Sequence, residues 1–191
     1  MITPRTSSET LTLPSPQPDS TLKNPTFSDS GCHECGFRLW IPVAESCHST
    51  LGIYNDARFP GRSIIRLKEH FEDLSDVPLE TLTGFMRDIQ VAQKAIRAAV
   101  RAARVNVAIL GNRESHVHAQ LIPRFPETED FPDCSPWNDQ RKKTPLRPER
   151  VHALVDQINA QITVADRRRS SSKPAPIKPP TQVASSQLTL F

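Results

Sequence analysis

The segment Ser115-His116-Val117-His118-Ala119-Gln120-Leu121-Ile122-Pro123-Arg124 places two histidines and a glutamine at alternate positions. In an extended strand, side chains at i, i+2 and i+4 share one face, so His116, His118 and Gln120 line up while Val117, Ala119 and Leu121 turn the other way. An imidazole serves near neutral pH as nucleophile, proton carrier or metal ligand, and a carboxamide both donates and accepts hydrogen bonds. Histidines on an edge strand can also simply face water. The apolar run Val105-Asn106-Val107-Ala108-Ile109-Leu110-Gly111 argues against that, because it reads as a neighbouring buried strand. Gly111 and Asn112 end it, and Arg113 and Glu114 complete a short hairpin loop into the histidine strand.

A second chemical cluster lies upstream. Cys32-His33-Glu34-Cys35 has the Cys-x-x-Cys spacing that lets two thiolates bind one metal ion from a single tight turn. A structural Zn2+ site needs four ligands, and the candidates for the other two are His33, Cys47, His48, His70, His116, His118, Cys134 and His152. His70 closes the strand-like stretch Ser63 to His70, and His116 opens the histidine strand. A zinc site of Cys32, Cys35, His70 and His116 would staple the N-terminal loop to the sheet and fix the strand that carries His118. Two structural thiols or a redox pair are the alternative for Cys32 and Cys35. Cys47 and Cys134 lack partners at ligand spacing.

These residues need a scaffold, and the 191-residue chain has room for one domain with a substantial core. Residues 1–30 hold five prolines among many Ser and Thr, and residues 166–191 hold four more, so both ends read as disordered segments flanking a domain at 31–165. The net charge of +3 is a property of the tail, whose five basic residues face one acidic residue and leave the rest of the chain at −1. That excludes a strongly basic body built for direct, sequence-specific nucleic-acid binding. The lack of a membrane-length apolar stretch or a basic-then-apolar leader leads us to expect a soluble, cytoplasmic protein without a membrane partner. Leu82, Phe85, Met86, Ile89, Ala92, Ile96, Ala99, Val100 and Ala103 recur at three- and four-residue steps, which predicts an amphipathic helix from about 78 to 103. Asp76 is its expected cap, and Pro78 suits its first turn.

From Cys32 to about Trp137 the chain resembles the histidine triad (HIT) superfamily, and in particular bacterial members similar to diadenosine tetraphosphate hydrolases. The shared anchors occur in order: Cys32-x-x-Cys35, then Asn55-Asp56-Ala57-Arg58-Phe59-Pro60-Gly61, then Lys68-Glu69-His70, then Val105 through Asn112, then His116 through Arg124. The resemblance implies an α+β fold, with an antiparallel sheet of about five strands packed with the long helix, and a homodimer. It implies a nucleotide hydrolase or nucleotidyltransferase in which His118 attacks the α-phosphorus and forms a nucleotidyl-histidine. By position, Asn55 or Asp56 would meet the ribose hydroxyls of the nucleotide substrate, and Asn106, Asn112 and Ser115 would lie near the phosphates. In zinc-containing relatives the first histidine of the motif, His116 here, is a metal ligand. The departure is Gln120, where hydrolases of the family carry a third histidine. Glutamine stands there in related galactose-1-phosphate uridylyltransferases and dinucleoside tetraphosphate phosphorylases, so transfer or phosphorolysis competes with hydrolysis as the expected outcome. A low-turnover nucleotide-binding module is the other expectation.

The C-terminal peptide Gln187-Leu188-Thr189-Leu190-Phe191 resembles the short motif by which bacterial replication and repair proteins dock on the DNA sliding clamp. Leu188, Leu190 and Phe191 would be its apolar anchors, with Gln187 setting the register.

Overall fold

The computed structural model describes residues 31–171, apart from residue 40. The clamp-like residues Gln187, Leu188, Leu190 and Phe191 lie outside this range, as does the segment 1–30. Five strands form one antiparallel sheet: β1 (Pro42–Glu45), β2 (Ser49–Ile53), β3 (Ser63–Leu67), β4 (Arg104–Ala108) and β5 (His118–Arg124). Their order across the sheet is β1-β2-β3-β5-β4, so the histidine strand is internal and β4 is an edge.

Register explains why one face is core and the other chemical. Leu51 pairs with Ile65 and Ile65 with Ala119, so the odd-numbered positions of β2, β3 and β5 stack on one face. Against that face lies α1 (Leu79–Val100), which buries Phe85, Ile89, Ala92, Ala95 and Ile96. The even-numbered positions Thr50, Arg66, His118, Ile64 and Gln120 occupy the opposite face. Fully burying one such Leu, Ile or Phe side chain is worth roughly 1.5–3 kcal/mol. A one-residue register slip would move every core side chain to the wrong face.

Several sequence expectations are revised. The helix α1 begins at Leu79 with Pro78 as its N-cap and no side-chain cap. Asp76 instead sits in a short 3-10 turn, Leu74–Asp76, which Asp73 caps. The run from Val105 is not a buried strand: β4 stops at Ala108, and of its residues only Val105 is buried. The connection from β4 to β5 spans residues 109–117, longer than the expected short hairpin loop, and its last residue, Val117, exchanges backbone hydrogen bonds with Leu67 and Phe71 before β5 begins. A second long helix, α2 (Pro148–Ser171), continues past residue 165 and buries Val151, Leu154, Val155 and Ile158. It packs on α1 and reaches β1. No described helix is long and apolar enough to cross a membrane.

Candidate active and metal site

His118 lies at the start of β5 and is 8% exposed. Its Nδ1 is 2.7 Å from the backbone carbonyl of His116. A carbonyl only accepts, so Nδ1 carries the proton and the lone pair sits on Nε2. The ring of Phe37 lies over it, with centroids 5.1 Å apart. The exposed-histidine alternative therefore does not hold.

His116 is fully buried and precedes the strand rather than opening it. Its Nε2 donates to the Leu67 carbonyl at 2.8 Å, which turns an unprotonated Nδ1 toward His70 Nδ1 at 3.3 Å and Cys35 Sγ at 3.4 Å. Cys32 Sγ is 3.6 Å from His70 Nδ1. The four ligand atoms all lie within 4.8 Å of one another. Around a tetrahedral zinc, ligand nitrogens stand about 3.3 Å apart and a nitrogen and a sulfur about 3.6 Å apart, so the donor set fits that ion. Burial, with the positive charge of Arg66, outweighs the hydrogen bond to the Leu67 carbonyl and holds His116 below the usual histidine range, which favours the neutral ligand form. Burial alone would raise the Cys32 thiol, yet backbone N–H groups of Cys35 and Glu34 bring it below its ordinary value and favour the thiolate. The knuckle closes through Gly36 N to Cys32 O and Cys32 N to Phe37 O, both 2.9 Å, with Gly36 at φ +74°. Among the expected ligand candidates, Cys47 and Cys134 are exposed free thiols.

The segment that follows the knuckle lies across the chemical face. A Cβ on Gly52 would meet Leu39 Cβ at 2.9 Å, so the small residue in β2 is what admits Leu39 there. Phe37, Leu39, Arg62 and Arg66 were not picked out from the sequence. The signal for the two arginines was the same two-residue alternation, since Arg62, Ile64 and Arg66 project onto the face of His118 and Gln120.

Gln120 is half-buried, and its Oε1 accepts from Arg62 Nη2 at 3.0 Å. Arg62 Nη1 in turn donates to Asp56 Oδ2 at 2.9 Å. Asp56 is fully buried and also accepts from Arg58 Nε at 3.0 Å and Nη2 at 2.9 Å. Burial would raise the Asp56 carboxyl, but Arg58 and Arg62 outweigh it and hold it below the usual range. Asn55 Oδ1 accepts from the Leu146 N–H at 2.7 Å. Both positions expected at the ribose thus have intramolecular partners, because arginines at 58 and 62 and the incoming 139–146 segment reach them first. Asn106 Oδ1 accepts from Arg124 Nη1 at 2.9 Å, while Asn112 and Ser115 are exposed on the 109–117 loop.

No family model matches the sequence, and no curated protein matches it significantly. Solved structures match by shape. A histidine triad protein of Sinorhizobium meliloti overlays with a TM-score of 0.58 at 18% identity, over 63% of this chain and 88% of that one. A hypothetical histidine triad nucleotide-binding protein of Sulfolobus tokodaii gives 0.56 at 18% identity, over 70% and 91%. A zinc-bound histidine triad family protein of Mycobacterium smegmatis gives 0.50 at 20% identity, over 66% and 86%. The sheet order, the long helix and the placement of the histidine strand together give this chain the fold of the histidine triad superfamily.

Proposed function

We propose that this protein is a nucleotidyl hydrolase or transferase that splits the α-phosphate linkage of a dinucleoside polyphosphate or similar nucleotide conjugate. The observation that carries the reading is the fixed tautomer of His118, whose Nδ1–H is bound to the His116 carbonyl and whose Nε2 lone pair is free for attack. Nε2 attacks the α-phosphorus in line, an N–P bond forms, and the P–O bond to the leaving group breaks. The ring becomes cationic, and its Nδ1–H bond to the His116 carbonyl strengthens as it does so. Water or phosphate then attacks phosphorus, and His118 is released neutral. The nucleotide-binding description of the Sulfolobus neighbour supports this substrate class.

Cys32, Cys35, His70 and His116 would hold a structural zinc, as the zinc of the Mycobacterium neighbour also suggests. Bound there, the ion would cross-link the knuckle to the sheet. The outer edge of β4, which pairs with no other strand among the described residues, and the exposed Val107 and Leu110 near it support a homodimer. Recruitment to a sliding clamp through Gln187, Leu188, Leu190 and Phe191 rests on sequence alone; micromolar binding of a residue 180–191 peptide to purified clamp would support it. The central test is turnover of diadenosine tetraphosphate with and without inorganic phosphate. Product formation lost in His118→Ala supports the enzyme; nucleotide binding with no turnover in either protein would leave a binding module.

A further inference from the structure

The orientation of the Gln120 amide is settled by chemistry. A guanidinium has donors only, so the atom it meets at 3.0 Å must be the carboxamide oxygen. The Gln120 NH2 is therefore turned away from Arg62. A flipped amide would set donor against donor and forfeit a charge-assisted hydrogen bond.

Arg62 is itself held from several sides. Asp56 accepts from its Nη1, and its guanidinium carbon lies 4.2 Å from the centroid of the Tyr54 ring. Asp56 is fixed in turn by Arg58. The row Arg58–Asp56–Arg62–Gln120 thus ends two residues from His118 on the same strand face.

We propose that Arg62, braced by Asp56, is a positioning residue that locks Gln120 with its NH2 presented beside His118, as a donor to a non-bridging oxygen of the α-phosphate. This rests on the nucleotidyl-transfer reading above. A donor fixed before the substrate arrives needs no reorganisation as charge shifts onto the phosphoryl oxygens, and a mobile one does. Arg62 is buried, and one N–H of each of its Nη1 and Nη2 is held by Asp56 and Gln120, so its contribution is expected to run through Gln120.

The test is a double-mutant cycle on the full chain, with kcat measured for diadenosine tetraphosphate and for its two α-phosphorothioate diastereomers. Gln120→Ala is expected to lower kcat on the order of 100-fold, the usual loss for one preorganised donor. Arg62→Met is expected to lower it about 10-fold in the wild-type background and not at all in Gln120→Ala, because residues acting as a unit are not additive. The wild type should prefer one thio-diastereomer, and both single variants should lose that preference, which a merely structural role for Arg62 would not change. Arg62→Lys keeps the pairing with Asp56 and a donor-only partner for Oε1. It should recover part of kcat and of the diastereomer preference, and it replaces Arg62→Met in the cycle if that variant does not fold. Equal losses from the Arg62 change in both backgrounds, or an unchanged diastereomer preference, would overturn the inference. A wild type that releases no product from any nucleotide conjugate would instead overturn the reading beneath it.

Discussion

Replacing Asp56 with Asn keeps the shape of the side chain and removes the charge that two arginines share. Asp56 is fully buried, and the side chains of Arg58 and Arg62 are 18% and 10% exposed, so little water reaches the cluster to compensate. Removing one partner of a buried ion pair costs about 3–5 kcal/mol, and the partial exposure of the arginines places this one near about 3 kcal/mol. For a domain of this size such a loss lowers the melting temperature by about 10 °C. The pH dependence has a definite sign. The folded carboxyl is held below its unfolded value, so its stabilisation is present above the unfolded pKa of about 3.9 and is lost as pH falls through the folded pKa. Thermal melts of wild type and Asp56→Asn should therefore differ by a constant amount from about pH 5 to 8 and converge in stronger acid. Equal melting at pH 7, combined with a raised KM for nucleotide, would refute this reasoning and assign Asp56 to the ribose.

The metal cluster and the knuckle yield two more expectations. The double variant Cys32→Ser/Cys35→Ser should purify with little zinc, and a chelator should lower the melting temperature of the wild type while leaving the variant unmoved; full zinc content in the variant would contradict the ligand set. Gly52→Ala should cost about 1–3 kcal/mol in urea unfolding, because the new Cβ meets Leu39 Cβ at 2.9 Å and the Ile41 carbonyl at 3.0 Å. An unchanged urea midpoint would show that Leu39 does not lie on β2.

Much of the site was legible because a strand obeys a two-residue period. That period put His118 and Gln120 on one face, and a Cys-x-x-Cys with two downstream histidines was enough to name all four residues of the cluster. The period also carried Arg62 and Arg66 to the same face, but a lone arginine in a sequence does not disclose its partner, and the Arg62–Gln120 contact spans 58 positions. The Asp56 environment was hidden for the same reason, since a carboxylate's neighbours, not its type, decide whether it meets a ribose or two guanidinium groups. In α2, Val151, Leu154, Val155 and Ile158 repeat at helical spacing inside the expected 31–165 domain, but four residues beside a Pro-rich tail are a weak helix signal without the partner surface of α1. The β4 strand was misjudged as buried because an apolar run does not distinguish an edge strand from a central one.

The most direct measurement is the mass of the protein stopped in base, where a P–N bond survives, during a single turnover of diadenosine tetraphosphate. The account predicts a transient nucleotidyl adduct on the peptide that carries His118, absent from His118→Ala, and rising and falling at rates consistent with turnover. Product formation without any adduct, or an adduct on His116 or His70 instead, would contradict it.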